Sequence, residues 1–184
     1  IDVLYVYPKD LTAVEERFGS WMVQYGYCNY CPADRIVNLG TVEKGQLKLG
    51  IGNYSTIVVG FEPFYNEAFI ALLEKFVRGG GNLVWNAAPS AAENGKIPTR
   101  WLRLFGLKSA QTLVEGGSAH EVNFTGILSG ISKMKVSTDM LPDRIYNIVV
   151  GDGEAVANAN NFVIGATRKY GLGRATYIGC RLRD

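Results

Sequence analysis

The stretch Tyr54–Trp85, YSTIVVGFEPFYNEAFIALLEKFVRGGGNLVW, decides the fold. Ser55–Gly60 is a β-branched apolar run with the length of a fully buried strand, and Glu62-Pro63 ends it. Asn66 stands where a helix N-cap stands, ahead of Glu67–Arg78, which lays Phe69, Leu72, Leu73 and Phe76 along one face. Gly79-Gly80-Gly81 supplies the left-handed exit that helix C-termini favour. Asn82–Asn86 (NLVWN) is again a buried strand. Strand, helix, glycine stop and strand within about thirty residues make a βαβ crossover, whose strands are parallel.

Toward the N-terminus, Asp2–Tyr7 (DVLYVY) reads as a central strand ended by Pro8 and Lys9. Asp10 or Thr12 caps an expected helix with apolar positions Leu11, Val14, Phe18, Met22 and Tyr25, closed by Gly26. Arg35–Leu39 is expected as a short strand. Gln46–Asn53, with glycines at 45, 50 and 52, is expected as an irregular excursion. Toward the C-terminus, Lys96–Gly106 is expected as a short helix with Pro98 in its first turn and Trp101, Leu102, Leu104 and Phe105 inward. Beyond Gly106 the period drops to two. Thr112–Val114, His120–Phe124, Met134–Val136, Ile145–Val150, Ala155–Ala159, Phe162–Arg168 and Arg174–Cys180 are strand candidates, the last two joined by a hairpin turn at Tyr170–Gly173.

The whole chain has 184 residues, room for one domain and too short for an eight-fold β/α barrel of about 250 residues. Its 19 Lys and Arg against 17 Asp and Glu leave a net charge of +2, too small a field to argue for nucleic acid. No apolar run approaches the roughly 20 residues of a membrane span, and there is no signal-peptide pattern. A strand beginning at Ile1, with no initiating Met, points to a segment of a longer protein. Three cysteines imply no disulfide framework, and the compartment stays open.

Two segments point to a family. Tyr54–Trp85 resembles the strand–helix–Gly-Gly–strand unit of class I glutamine-amidotransferase-like domains. Asn160–Asp184 resembles the end of the middle domain of family-42 β-galactosidases, whose pattern is matched by Tyr170, Gly171, Gly173, Arg174, Ala175, Tyr177, Ile178, Gly179 and Arg181. Cys180 stands where that pattern has Thr. Trehalose-utilisation-type domains end similarly, and the stretch from about Leu107 to Asn158 matches neither family. The resemblance implies a three-layer, flavodoxin-like α/β fold with a parallel sheet, here with additional β-hairpins in the C-terminal half. It also implies a position between a catalytic barrel and a C-terminal β domain. In family-42 enzymes this domain mediates trimerisation and can wall a neighbour's substrate cleft, while the catalytic glutamates belong to the barrel.

An amidotransferase needs a nucleophilic Cys on a sharp strand-to-helix turn, activated by a His. The turn after Asn86 reads Ala87-Ala88-Pro89-Ser90, with no Cys, and the only His is His120. Pairs of His120 with Cys180 or Cys28 stay open on sequence alone. Ser90 lacks a Gly-x-Ser-x-Gly elbow. Cys28-Asn29-Tyr30-Cys31 is a C-x-x-C, expected after a helix end and so without the helix N-terminus that lowers a redox thiol pKa. It is read as a loop with buried or disulfide-bonded thiols. Gly79–Gly81 ends a helix and Gly171-x-Gly173 joins two strands, so neither has the placement of a phosphate cradle. Aromatics crowd Tyr25, Tyr27 and Tyr30 beside Trp21. Tyr7, Lys9, Phe61, Glu62 and Asn86 gather at the carboxyl ends of the strands, where open α/β sheets bind ligands. An aromatic and amide rim there suits a sugar or a protein partner.

These readings converge on a single non-catalytic domain over 1–184, with no cofactor and no metal. Its expected partners are further copies, neighbouring domains or a carbohydrate, and neither nucleic acid nor membrane. The competing expectation is a stand-alone small hydrolase or sugar-binding module.

Overall fold

The computed structural model describes residues 1–7, 26–112, 120–136 and 144–181. Lys9, the expected helix from Leu11 to Tyr25, and the end of the expected Thr112–Val114 strand lie outside them. The architecture is mixed α/β with few helices. Its contacts divide the chain into two units, Ile1–Trp85 with Lys169–Ala175, and Asn86–Arg168 with Thr176–Asp184.

In the first unit, β1 (Val3–Val6) pairs in parallel with β2 (Asn29–Cys31) on one side. On the other it pairs in parallel with β6 (Thr56–Val59), which in turn pairs in parallel with β7 (Asn82–Asn86). The crossover from β6 to β7 is α2 (Glu67–Arg78). Asn66 Oδ1 accepts the Phe69 N–H at 3.0 Å, the cap expected from sequence, and satisfies one of the helix's open donors. Phe69, Ile70, Leu73, Phe76 and Val77 are buried, each contributing about 1.5–3 kcal/mol relative to exposure. At the other end Gly81 N–H reaches Phe76 O and Gly80 N–H reaches Val77 O, both at 3.0 Å. This is a Schellman closure, and Gly80 takes the positive φ of +119° that it needs. The hairpin tip at Gly171–Gly173 lies on this helix end: Leu172 N–H donates to Arg78 O at 3.0 Å, and Arg78 bonds the Tyr170 hydroxyl at 2.9 Å.

Two expectations fail in this unit. The segment expected as a strand at Arg35–Leu39 is helix α1 (Ala33–Leu39). Pro32 starts it, Ile36 N–H reaching Pro32 O at 3.2 Å, and its buried residues Ala33 and Ile36 are three apart, a helical spacing. The β-branched pair Ile36-Val37 misled the reading. The expected irregular excursion is an ordered antiparallel meander of β3 (Thr41–Glu43), β4 (Gln46–Leu49) and β5 (Gly52–Tyr54). Lys44 and Gly45, with φ of +47° and +72°, form its first tight turn.

In the second unit, α3 (Thr99–Leu104) leads into β8 (Leu107–Thr112), which pairs antiparallel with β11 (Tyr146–Val150). Pro98 is the N-cap of α3, one position before the first turn expected for it, because its extended backbone at ψ 140° is not helical. β9 (His120–Phe124), β10 (Met134–Val136), β12 (Glu154–Ala159), β13 (Phe162–Tyr170) and β14 (Gly173–Ile178) order as β10-β9-β12-β13-β14. The pairs from β10 to β13 are antiparallel. Val122, Ile145, Ala157, Ile164, Ile178 and Cys180 share one core. A second is aromatic, with Trp101, Phe105 and Tyr177 meeting ring to ring at 4.7–5.9 Å between centroids. Arg168 ties the periphery, ion-paired to Asp152 at 2.5 Å and donating to the Arg103 carbonyl.

Candidate functional site

The carboxyl ends of the parallel strands are the first place to look. Val6 is level with Val59 in the β1–β6 register, so Tyr7 and Gly60 are the first residues beyond each strand. Tyr7, Phe61 and Glu62 are all half-buried. The Tyr7 ring lies 5.5 Å from that of Tyr30, and Tyr30 lies 5.5 Å from Tyr5. Phe61 packs on the cluster of Tyr5 and Cys28. Tyr27 and Phe64, at 60% exposure each, add aromatic surface to the connections in this unit. Sequence reasoning did not assign Tyr30 to the strand-end rim. Its link to Tyr7 depends on β2 lying parallel to β1, and a three-residue strand carries no periodic signal. Burial, followed by the nearby Cys28, pushes the Tyr30 hydroxyl up to about 12. Asn86 ends β7 and groups by its contacts with the second unit, where it is buried at 8% exposure. No hydrogen-bond partner meets its Oδ1 among the described residues.

The corner after β7 is where the amidotransferase resemblance would put a nucleophile. Ala87 occupies it with φ +64°, a left-handed conformation that costs a side-chain-bearing residue about 1–2 kcal/mol. Three hydrogen bonds hold it there. Its N–H meets Ile178 O at 3.0 Å and Cys180 O at 3.2 Å, and its carbonyl accepts the Tyr177 hydroxyl at 2.8 Å. The corner carries a methyl group and is fully buried, and the chain runs on from it without helix until α3 at Thr99, so the strand-to-helix turn of a nucleophile elbow is not formed here. Ser90 follows at 1% exposure, closed to any substrate arriving from solvent.

The thiols fit a structural role. Cys180 is fully buried, and burial pushes its thiol up to about 12, away from the thiolate that nucleophilic chemistry needs. Cys31 ends β2 two residues before α1, and the helix expected ahead of the C-x-x-C lies outside the described residues. Cys28 shares the Tyr5 and Tyr30 face, and strand alternation sends Cys31 to the other. Both are buried and free, not disulfide-bonded, and burial raises both thiol pKa values, with Arg35 opposing at Cys31. His120 is on β9 at 3% exposure, its Nδ1 3.3 Å from the Asn160 amide nitrogen. It therefore sits on a buried strand and not on a solvated loop. Among the described residues no three His, Cys, Asp or Glu side chains group so as to hold a metal ion, and no helix is long and apolar enough to cross a membrane.

No family model matches the chain, and no curated protein matches it. Solved structures do. A GH42 β-galactosidase from G. stearothermophilus aligns at 15% identity and a TM-score of 0.65 over 99% of this chain and 28% of that one. An exo-β-1,4-mannosidase from Opitutaceae bacterium strain TAV5 aligns at 14% identity and 0.66 over 97% of this chain and 31% of that one. A cytoplasmic protein from Salmonella typhimurium aligns at 13% identity and 0.59 over 97% of this chain and 87% of that one. The likeness is one of fold. The chain spans less than a third of the length of the two glycosidases.

Proposed function

We propose that this chain is a non-catalytic, amidotransferase-like domain of a β-galactosidase-type glycoside hydrolase, serving subunit association or the shaping of a carbohydrate-binding cleft. The observation that carries the reading is the corner at Ala87, a strained and buried residue with only a methyl group at the strand end where the resemblance would put a nucleophile. Neither nearby group supplies a substitute: Ser90 is enclosed, and the Cys180 thiol stays protonated at any physiological pH. The fold shared with part of a GH42 β-galactosidase and of a mannosidase supports an accessory place beside a separate catalytic domain. The half-exposed Tyr7, Tyr30 and Phe61 supply the apolar faces that sugar rings or a second copy would cover.

The test is turnover and mass in solution. Purified chain is expected to release nothing from aryl galactosides, aryl mannosides or glutamine, and light scattering is expected to find an oligomer. Turnover that disappears in Ser90→Ala or Cys180→Ala would overturn the reading. The coverage of most of a free-standing Salmonella protein favours a second reading, an independent small module. A monomer that binds a free sugar with Tyr7 and Tyr30 in contact would select it.

A further inference from the structure

Asn94-Gly95 is the chain's one Asn-Gly pair, and the loop that carries it is built around the reacting atoms. Glu93, Asn94, Gly95 and Lys96 are all exposed. Gly95 has φ +75° and open space on the side where a Cβ would project, so no side chain there hinders the turn from flexing. The Lys96 N–H donates to Asn94 Oδ1 at 3.0 Å, drawing electron density from the amide carbon and marking where an oxyanion would be received. Two backbone bonds close the loop and oppose reaction: the Gly95 N–H is engaged by Ala92 O at 2.8 Å, and the Ala92 N–H by Lys96 O at 2.9 Å.

We propose that Asn94 is a site of spontaneous succinimide formation, a covalent modification of the backbone that requires only water. The Gly95 nitrogen gives its proton to hydroxide and forms a bond to Asn94 Cγ. The Cγ–Nδ2 bond breaks and the nitrogen leaves as ammonia. Water then opens the five-membered ring at either carbonyl, giving aspartate or isoaspartate. Either product places a new negative charge on a chain of net charge +2, and isoaspartate also lengthens the main chain just ahead of α3.

The bond on the reacting Gly95 nitrogen is the one that must open. An exposed hydrogen bond is worth about 0.5–1.5 kcal/mol net, so opening it slows the reaction by no more than about tenfold against an unstructured peptide. Asp152-Gly153, the corresponding acidic pair, makes the contrast. Its Gly153 N–H is held by Gly106 O at 3.1 Å, a Cβ there would press on three backbone carbonyls, and Asp152 is ion-paired to Arg168. That pair is expected to stay intact.

The experiment is peptide mapping of the whole folded chain after incubation at neutral and at mildly alkaline pH, beside a synthetic Ala92–Pro98 peptide. Conversion of the amide to an acid at residue 94, within about tenfold of the peptide's rate and rising with hydroxide concentration, is the expected result. Isoaspartate should form alongside aspartate, Asp152 should be unchanged, and Asn94→Gln should abolish the signal. An Asn94 that stays intact while the peptide converts overturns the proposal. So does direct hydrolysis to aspartate with no isoaspartate.

Discussion

Two strand exits in this molecule put opposite residues to opposite uses. Beyond β6 stands Gly60, whose φ is not in the left-handed region. A methyl group there would collide with the Tyr5 phenol, so the glycine is required by a neighbour's side chain. Beyond β7 stands Ala87, in a left-handed conformation that glycine would adopt freely, yet a methyl is present. It is held by hydrogen bonds from Tyr177 and to Ile178 and Cys180. Glycine therefore marks close packing at one exit, and hydrogen bonding maintains strain at the other. The comparison places the energetic weight of the second corner on Tyr177, a residue ninety positions away.

The largest expected effect follows from that weight. Tyr177 is fully buried between Trp101 and Phe105, and Tyr177→Ala opens a cavity as well as removing the donor to Ala87. A loss of about 3–5 kcal/mol is expected from the cavity series for aromatic residues. Tyr177→Phe keeps the ring and strands the buried Ala87 carbonyl, for about 1–3 kcal/mol. Urea midpoints at constant m-value check both. A neutral Tyr177→Phe would mean that the hydroxyl does not hold the corner.

The other exit breaks more gently. Gly60→Ala must displace the Tyr5 ring, an overpacking cost of about 1–3 kcal/mol. Tyr5→Leu in the same chain withdraws the obstructing phenol, so the double variant should lose less than the two single losses added together. A double-mutant cycle measures that coupling directly. Strict additivity would show that Gly60 answers to something other than Tyr5.

How far these features could be read in advance depends on how many residues carried the signal. Asn66, the apolar face of α2 and the three glycines after it fixed a βαβ unit whose helix and second strand match the expected bounds. Phe162–Arg168 and Arg174–Cys180 alternated cleanly, and the strands and turn are there. α1 has seven residues and β2 has three, too few for a period to separate helix from strand. The meander was missed because its first turn is Lys44-Gly45, and lysine is not among the residues that usually open a left-handed turn. For the candidate sites the sequence located the corner after Asn86, which reads Ala87-Ala88-Pro89-Ser90. The strain at Ala87 was not legible, because the hydrogen bonds that hold it come from the far end of the chain.

The smallest expected effect is the sharpest on the comparison. Ala87→Gly relieves a left-handed strain of about 1–2 kcal/mol. Against this stand about 0.4–1 kcal/mol of added freedom in the unfolded chain and about 0.8 kcal/mol for a fully buried methyl. The contributions nearly cancel, and a net change within about 1 kcal/mol is expected in the same urea titrations. A stabilisation well beyond that would mean that the methyl is kept at a real energetic cost, and that the corner is strained for a reason other than packing. A loss of about 3 kcal/mol or more would mean the reverse. The methyl would then be filling the space of the missing reactive group, and the hydrogen bonds from the last strand would be secondary to it.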